Sequence, residues 1–270
     1  VSISAALILG VIQGLTEFLP ISSSGHLAVA QHFLPGFHQP GLLFDIILHL
    51  GTLLAVLIYF RSEVGLLLRG LIPNESGAQG RRLIFMLVLG TLPAVIAGLT
   101  LGPIIERSFT NIAVVGVGLL VTASLLLVSK RFNRNDAQDG RTLNDVSTTD
   151  AVLVGVVQSA ALVPGISRSG STIVAGLGRG LSRETAARFS FLLSIPAILG
   201  ATLYEMPKAR LLSQDALSGY VVGFLASFLI GYIAIAIVLR CLEHRMFYAF
   251  GYYCLAVGGG ILGYVASTLS

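Results

Sequence analysis

The stretch GVIQGLTEFLPISSSGHLAVA, Gly10 to Ala30, lies over GVVQSAALVPGISRSGSTIVA, Gly155 to Ala175, without a gap. Gly10 meets Gly155, Gln13 meets Gln158, and Ile21, Ser22, Ser24 and Gly25 meet Ile166, Ser167, Ser169 and Gly170. The same offset of 145 residues carries Phe44 onto Phe189, Leu48 onto Leu193, Leu54 onto Leu199 and Tyr59 onto Tyr204. Similarity at one fixed spacing over this length marks an internal duplication. Each copy opens with an apolar block broken by proline, serine and glycine, so neither side of the break has the roughly 20 apolar residues needed to cross a bilayer.

Composition places both copies in a membrane. Hydrophobic residues make up 54% of the chain and charged residues 11%, with a mean hydropathy of +0.86; soluble domains carry about 25% charge. The apolar runs are of helical length and lack the short alternating segments of an outer-membrane barrel. The expected fold is therefore an all-α integral membrane protein. Its first apolar block has no basic stretch ahead of it and carries the polar cluster itself, so it is expected to be retained structure and not a cleaved signal. The pI near 9.3 does not imply a nucleic-acid partner, because the basic residues are scattered over short loops and form no stripe. Cys241 and Cys254 have neither CxxC nor zinc-type spacing and are expected to be unlinked thiols.

The first repeat, 1–135, is read as a re-entrant hairpin at 3–34 followed by spans at 41–60, 82–103 and 111–129. After the polar linker 130–150, the second repeat, 136–270, has a hairpin at 151–180 and spans at 186–206, 216–240 and 247–268. One hairpin that re-enters and three spans that cross leave the second copy starting on the opposite side, so the repeats are expected to be inverted in topology within one membrane domain. Charge supports the assignment, since cytoplasmic loops carry the excess of Lys and Arg. One side receives Arg61, Arg69, Arg81, Arg82, Lys130, Arg131, Arg134, Arg141, Arg179, Arg183, Arg188, Arg240 and Arg245, and the other only Arg107, Lys208 and Arg210. The linker is thus expected in the cytoplasm and both termini outside. Arg168 belongs to neither side and is expected with the hairpin tips near the midplane, as in other inverted-repeat folds.

A polar site at the junction of the two tips follows. Helices restarting there present unpaired N–H groups and a positive dipole end that suit phosphate oxygens. Ser22, Ser24, Ser167 and Ser169 are candidate phosphate ligands, or simply helix caps. Gly25 and Gly170 allow close approach of a ligand, or close helix packing. Glu17 lies one turn after Gln13 on the same face, and the two can offer oxygens to a hard divalent cation such as Mg2+ or Ca2+. His26 is a candidate proton carrier. Arg168 offers a planar charged fork for phosphate, or a structural partner for Glu17. Asp45 and His49 are read as supporting residues.

QGLTEFLPISSSGH and PGISRSGST, followed by FLLSIPAILGATLYE, resemble the signature stretches of the undecaprenyl-diphosphate phosphatase family, also called bacitracin-resistance proteins, and the likeness covers the whole chain. It implies a bacterial inner-membrane enzyme, multi-pass, with its site opening to the outer or periplasmic face. It implies hydrolysis of undecaprenyl diphosphate to the monophosphate, recycling the lipid carrier of peptidoglycan synthesis and conferring bacitracin resistance. By the same resemblance the functional residues fall on Glu17, Ser23, His26, Ser167, Arg168, Ser169 and Thr172, with Gln13 where the family's motif has Glu or Gln. Ser23 or a water is the expected nucleophile, with His26 or Glu17 handling protons. The expected partners are a polyisoprenyl diphosphate substrate and membrane lipids, with a homodimer left open. A polyprenyl-phosphate flippase or a small-molecule transporter is the alternative, because broken helices in inverted repeats are also a transporter plan.

Overall fold

The computed structural model describes residues 2–34, 42–132, 140–206 and 217–269. Arg134, Lys208 and Arg210 of the charge comparison lie outside the described residues, as does Ser270. The first copy supplies α1 (Ile3–Phe18), α2 (Ser23–Phe33), α3 (Leu42–Tyr59), α4 (Arg61–Gly70), α5 (Ala78–Ser108) and α6 (Ile112–Val128). The second supplies α7 (Thr148–Ala160), α8 (Arg168–Gly178), α9 (Arg183–Glu205), α10 (Leu217–Glu243) and α11 (Ala249–Leu269). Among the described residues the nearest thing to a sheet is one isolated parallel bridge, Arg141 to Leu181.

This is an all-α, multi-pass membrane protein. The apolar stretches containing α5, α6, α9, α10 and α11 are each long enough to cross a bilayer, and α3 joins them when taken with α4 beyond an 88° bend. Helices are the natural solution for such sequences, since hydrocarbon offers no partner to an exposed peptide group. Rows of large apolar side chains face outward, Leu92, Val95, Ile96 and Leu99 on α5 and Leu225, Leu229 and Ile233 on α10, as a lipid-facing surface requires. The helix α4 is an addition to the expected spans. Its sequence RSEVGLLLRG mixes charge with leucine, so the chain turns sharply at Phe60 instead of prolonging α3.

The two broken blocks each fold as a pair of short helices. The break after α1 contains Pro20, and that after α7 contains Gly165 at φ 93°. Ser22 also takes a positive φ, 71°, a conformation that costs a non-glycine residue about 1–3 kcal/mol. Its hydroxyl holds it there by accepting from two amides, Gly25 N at 3.3 Å and Gly165 N at 3.2 Å.

The copies exchange partners in space. The helix α1 packs on α10 and its counterpart α7 on α5, while α3 packs on both α10 and α9, and α6 on α11. Glycine clearances show how close these contacts are: a Cβ on Gly10 would lie 2.6 Å from the Gly223 carbonyl oxygen, and one on Gly155 would lie 2.4 Å from that of Gly90. Such reciprocity is what an approximate two-fold relation between the copies produces. It carries through to the tips, where Gly25 of the first packs against Gly165 of the second and Gly170 of the second against Pro20 of the first.

At the other end of α7, Asp150 is fully buried and accepts from Arg141 at 2.6 Å and from Arg179 at 2.9 Å. Ser147 and Asp150 form a reciprocal capping box. These bonds together hold the end of the linker and of α8 against α7. Hydrogen bonding from both arginines and Ser147 keeps the Asp150 carboxyl well below the usual carboxylate range despite its burial. Glu63 on α4 pairs in the same way with Arg188 of α9.

Candidate active site

Glu17 is in the last turn of α1 and Arg168 in the first turn of α8. Each charge thus sits at the helix end whose dipole has its own sign, the less favourable placement. They compensate one another directly: Arg168 Nη2 donates to Glu17 Oε1 at 3.0 Å. Phe18, fully buried edge-on against Phe191 at 5.5 Å, fixes this end of α1. Glu17 Oε2 accepts from the Ser23 hydroxyl at 2.7 Å and from Gln13 Nε2 at 3.1 Å. One carboxylate therefore gathers Gln13, Ser23 and Arg168, with its side chain only 6% exposed and that of Arg168 16%.

Arg168 is itself held from behind. Nη1 donates to the Ser190 carbonyl at 3.1 Å. Thr172 donates to the Arg168 carbonyl at 2.7 Å, and its hydroxyl lies 2.6 Å from that of Ser190. Thr172 is buried, and its hydroxyl anchors the helix that carries Arg168. The two side-chain bonds of Arg168 use two of the five N–H groups of a guanidinium.

The repeated serines and glycines are also largely committed to structure. Ser167 caps α8 by accepting from Gly170 N at 3.1 Å, as Ser22 caps α2, and both are buried. The amides of Gly25 and Gly170 are therefore spent on caps and their Cα faces on the contact between tips. Of the candidate phosphate ligands, Gly25, Gly170, Ser22, Ser167 and Thr172 thus also build the frame of the two tips. Ser24 Oγ lies 3.3 Å from Ser22 Oγ, and Ser169 Oγ 3.2 Å from Ser167 Oγ. The first-turn amides of Ser23, Ser24, Arg168 and Ser169 have no partner within their own helices and stand at the two restarts.

His26 does not meet Ser23. Its Nδ1 lies 2.8 Å from the Ser22 carbonyl and its Nε2 2.9 Å from the Tyr253 hydroxyl. A carbonyl only accepts, so Nδ1 carries the proton and bare Nε2 accepts from Tyr253. Of the two groups expected to handle protons, His26 and Glu17, it is Glu17 that receives the Ser23 hydroxyl in this structure. His49 is closer to the chemistry than expected. Its Nδ1 donates to the Asp45 carbonyl at 2.8 Å, leaving Nε2 3.8 Å from Glu17 Oε2.

The donors present suit a hard cation in part. Gln13 Oε1 is buried without a partner, and with the Glu17 carboxylate and Ser23 hydroxyl it forms an all-oxygen set appropriate to Mg2+ or Ca2+. Among the described residues no group of three or more His, Cys, Asp and Glu could hold a metal unaided. The set fits a cation that completes its shell with phosphate oxygens and water.

The family model for bacitracin resistance protein BacA matches residues 6–260 of this chain. The chain belongs to this family. Proteins named undecaprenyl-diphosphatase are similar over nearly full length: one from Syntrophotalea carbinolica is 46% identical across 94% of this chain and 95% of its own. Those from Desulfosudis oleivorans and Chlorobaculum tepidum are 43% and 41% identical, covering 93% and 95% of this chain and 94% and 95% of theirs.

In this member of the BacA family, four site residues went unremarked or undervalued in the sequence. Ser190 and Thr122 position Arg168 and the second tip, Thr122 by donating to Gly165 O at 2.8 Å and accepting from Ser167 N at 2.9 Å. Tyr253 fixes His26, and His49 faces Glu17. Ser190 and Thr122 are polar groups buried in otherwise apolar spans, a signal the sequence carries. The Tyr253 contact, 227 residues away in sequence, has no local signature.

Proposed function

We propose that this protein hydrolyses undecaprenyl diphosphate to undecaprenyl phosphate and inorganic phosphate. The observation that carries this reading is the Glu17 carboxylate bridging the Ser23 hydroxyl and the Arg168 guanidinium where two helices restart. A hydroxyl on a carboxylate 2.7 Å away is an activated nucleophile. The guanidinium and first-turn amides beside it suit the oxygens of a transferring phosphoryl group.

The terminal phosphate sits against Arg168 and the amides at the two tips, with the isoprenyl tail leaving between helices toward lipid. Ser23 Oγ attacks the terminal phosphorus as its proton passes to Glu17. The bond to the bridging oxygen breaks, and the lipid monophosphate departs. His26, fixed through Nδ1, is placed on the Tyr253 side to exchange a proton with that leaving phosphate. Water then attacks the phosphoserine; Glu17 returns its proton to the departing Ser23 oxygen, and the inorganic phosphate leaves carrying the proton of the attacking water. A divalent cation held by Gln13 Oε1 and Glu17 would supply charge neutralisation to the phosphate oxygens.

The copies are inverted in this reading, with the site open to the outer face of the bacterial inner membrane. The strong Lys and Arg excess at one set of helix ends supports that orientation. Purified protein in detergent is expected to release inorganic phosphate from a polyisoprenyl diphosphate and to stop with a chelator; transport without phosphate release would overturn the reading in favour of a flippase. Acid quenching during turnover of terminally 32P-labelled substrate is expected to leave label on Ser23. Turnover retained by Ser23→Ala with no labelled protein would assign the attack to water.

A further inference from the structure

At the helix ends far from the tips, carboxylates neutralise most of the buried or half-buried basic side chains. Asp150 serves Arg141 and Arg179, and Glu63 and Glu184 serve Arg188. Arg183, the first residue of α9, differs. It is only 6% exposed, and its Nε and Nη2 are buried with no hydrogen-bond partner among the described residues. Besides burial, the like charge of Arg245, which lies between α10 and α11 at a positive φ of 59°, bears on it. The local cap offers no relief, since Ser182 turns its hydroxyl to the amide and hydroxyl of Thr185.

A buried guanidinium without a counter-charge costs several kcal/mol, and a second cation beside it raises that cost. A helix start adds positive potential of its own. An anion with several oxygens would answer all three at once by accepting from the unpartnered Nε and Nη2 of Arg183 and screening it from Arg245.

We infer that Arg183, with Arg245, forms a second phosphate-binding site at the α9 start, separate from the catalytic tips, that takes a phosphate group either on a lipid headgroup or as the free ion. The level of the site, at helix ends, matches that of lipid phosphates, and the planar fork of arginine matches phosphate geometry.

Thermal unfolding of the purified full chain in detergent, titrated with inorganic phosphate and separately with phosphatidylglycerol or phosphatidylcholine, tests this. Because phosphate is also a product of the proposed reaction, each titration is repeated in Arg168→Gln. The melting temperature should rise in both backgrounds, by about 5–10 °C at a hundredfold excess over Kd. Arg183→Gln should abolish the rise, and Arg183→Lys should keep part of it. A response to phosphatidylglycerol alone identifies a lipid headgroup, and a response to free phosphate identifies the ion. Should Arg183→Gln not fold, Arg245→Gln is expected to weaken the response about tenfold, 1.4 kcal/mol in binding. No response to either ligand, or an unchanged response in Arg183→Gln or Arg245→Gln, would overturn the proposal; neither outcome bears on hydrolysis, which the readout does not use.

Discussion

Replacing Arg168 by lysine keeps the charge at the meeting of the tips and removes the fork. In the structure Nη1 binds the Ser190 carbonyl at 3.1 Å and Nη2 binds Glu17 Oε1 at 3.0 Å, and in the proposed reaction the remaining N–H groups serve the phosphate. A lysine ammonium reaches fewer of these partners from one point. It forfeits at least one charge-assisted bond to the protein and one to the phosphate, at about 1.5–3 kcal/mol each. The sum of about 3–6 kcal/mol corresponds to a loss of roughly two to four powers of ten in kcat/KM. Thr172→Val is the internal comparison, because it leaves the guanidinium in place and removes two buried neutral bonds, to the Arg168 carbonyl and the Ser190 hydroxyl, with an expected loss of about thirtyfold at about 1 kcal/mol each. Phosphate release from a polyisoprenyl diphosphate is measured for both variants, beside circular dichroism and elution volume to verify folding. A lysine variant that folds and turns over within fivefold of wild type would reduce Arg168 to a counter-ion for Glu17 and refute its role on the phosphate.

Gln13→Glu adds a negative charge beside the unpartnered Gln13 oxygen, so less divalent cation should be needed for half-maximal rate; an unchanged metal titration would remove Gln13 from the ligand set. Asp150 has a depressed folded-state pKa, so its stabilisation is complete above the unfolded value of about 3.9 and is lost as pH falls below it. Asp150→Asn should therefore melt lower at pH 7, by about 1–3 kcal/mol given that Arg141 and Arg179 are partly exposed, and differ less from wild type near pH 3; a gap that stays constant over that range would refute the linkage. A cysteine placed in the 130–150 linker, with Cys241 and Cys254 removed, should be shielded from an impermeant thiol reagent in intact cells, and one at Ser270 should react; labelling of the linker alone would reverse the proposed orientation.

The helical membrane fold was legible because it rests on long-range averages. Apolar length and a fixed spacing between copies survive without knowledge of any contact, and the expected blocks coincide with the helices within a few residues. The bend into α4 was missed because a span ending in RSEVGLLLRG offers no proline or glycine at the turn itself. The site was legible in its residue types but not in its wiring. Glu17, Ser23, Arg168 and Gln13 share one hydrogen-bonded group, yet the partner of His26 lies on α11 and that of Arg168 on α9, and sequence spacing alone cannot choose between such distant neighbours.

The duplication explains which candidate residues also build the frame. Positions identical in the two copies do the same job at both tips: Ser22 and Ser167 cap, Gly25 and Gly170 pack across the junction, and Gly10 and Gly155 bring α1 and α7 against their neighbours. A duplicated frame needs its pieces twice, so identity between copies at these serines and glycines fits a structural role. The groups proposed to react stand where the copies differ. Glu17 is matched by Leu162, Ser23 by Arg168 and His26 by Ser171. A carboxylate opposite a second carboxylate would repel, and an arginine opposite a second arginine would do the same in a site this closed. Divergence at those positions instead places one base, one nucleophilic hydroxyl and one phosphate-binding cation around a single point. Restoring the symmetry should therefore abolish the chemistry while sparing the frame: in Ser23→Arg, two guanidinium groups compete for Glu17 and no hydroxyl remains on it, whereas Ser171→His adds an imidazole at the second tip without removing any group that touches the phosphate.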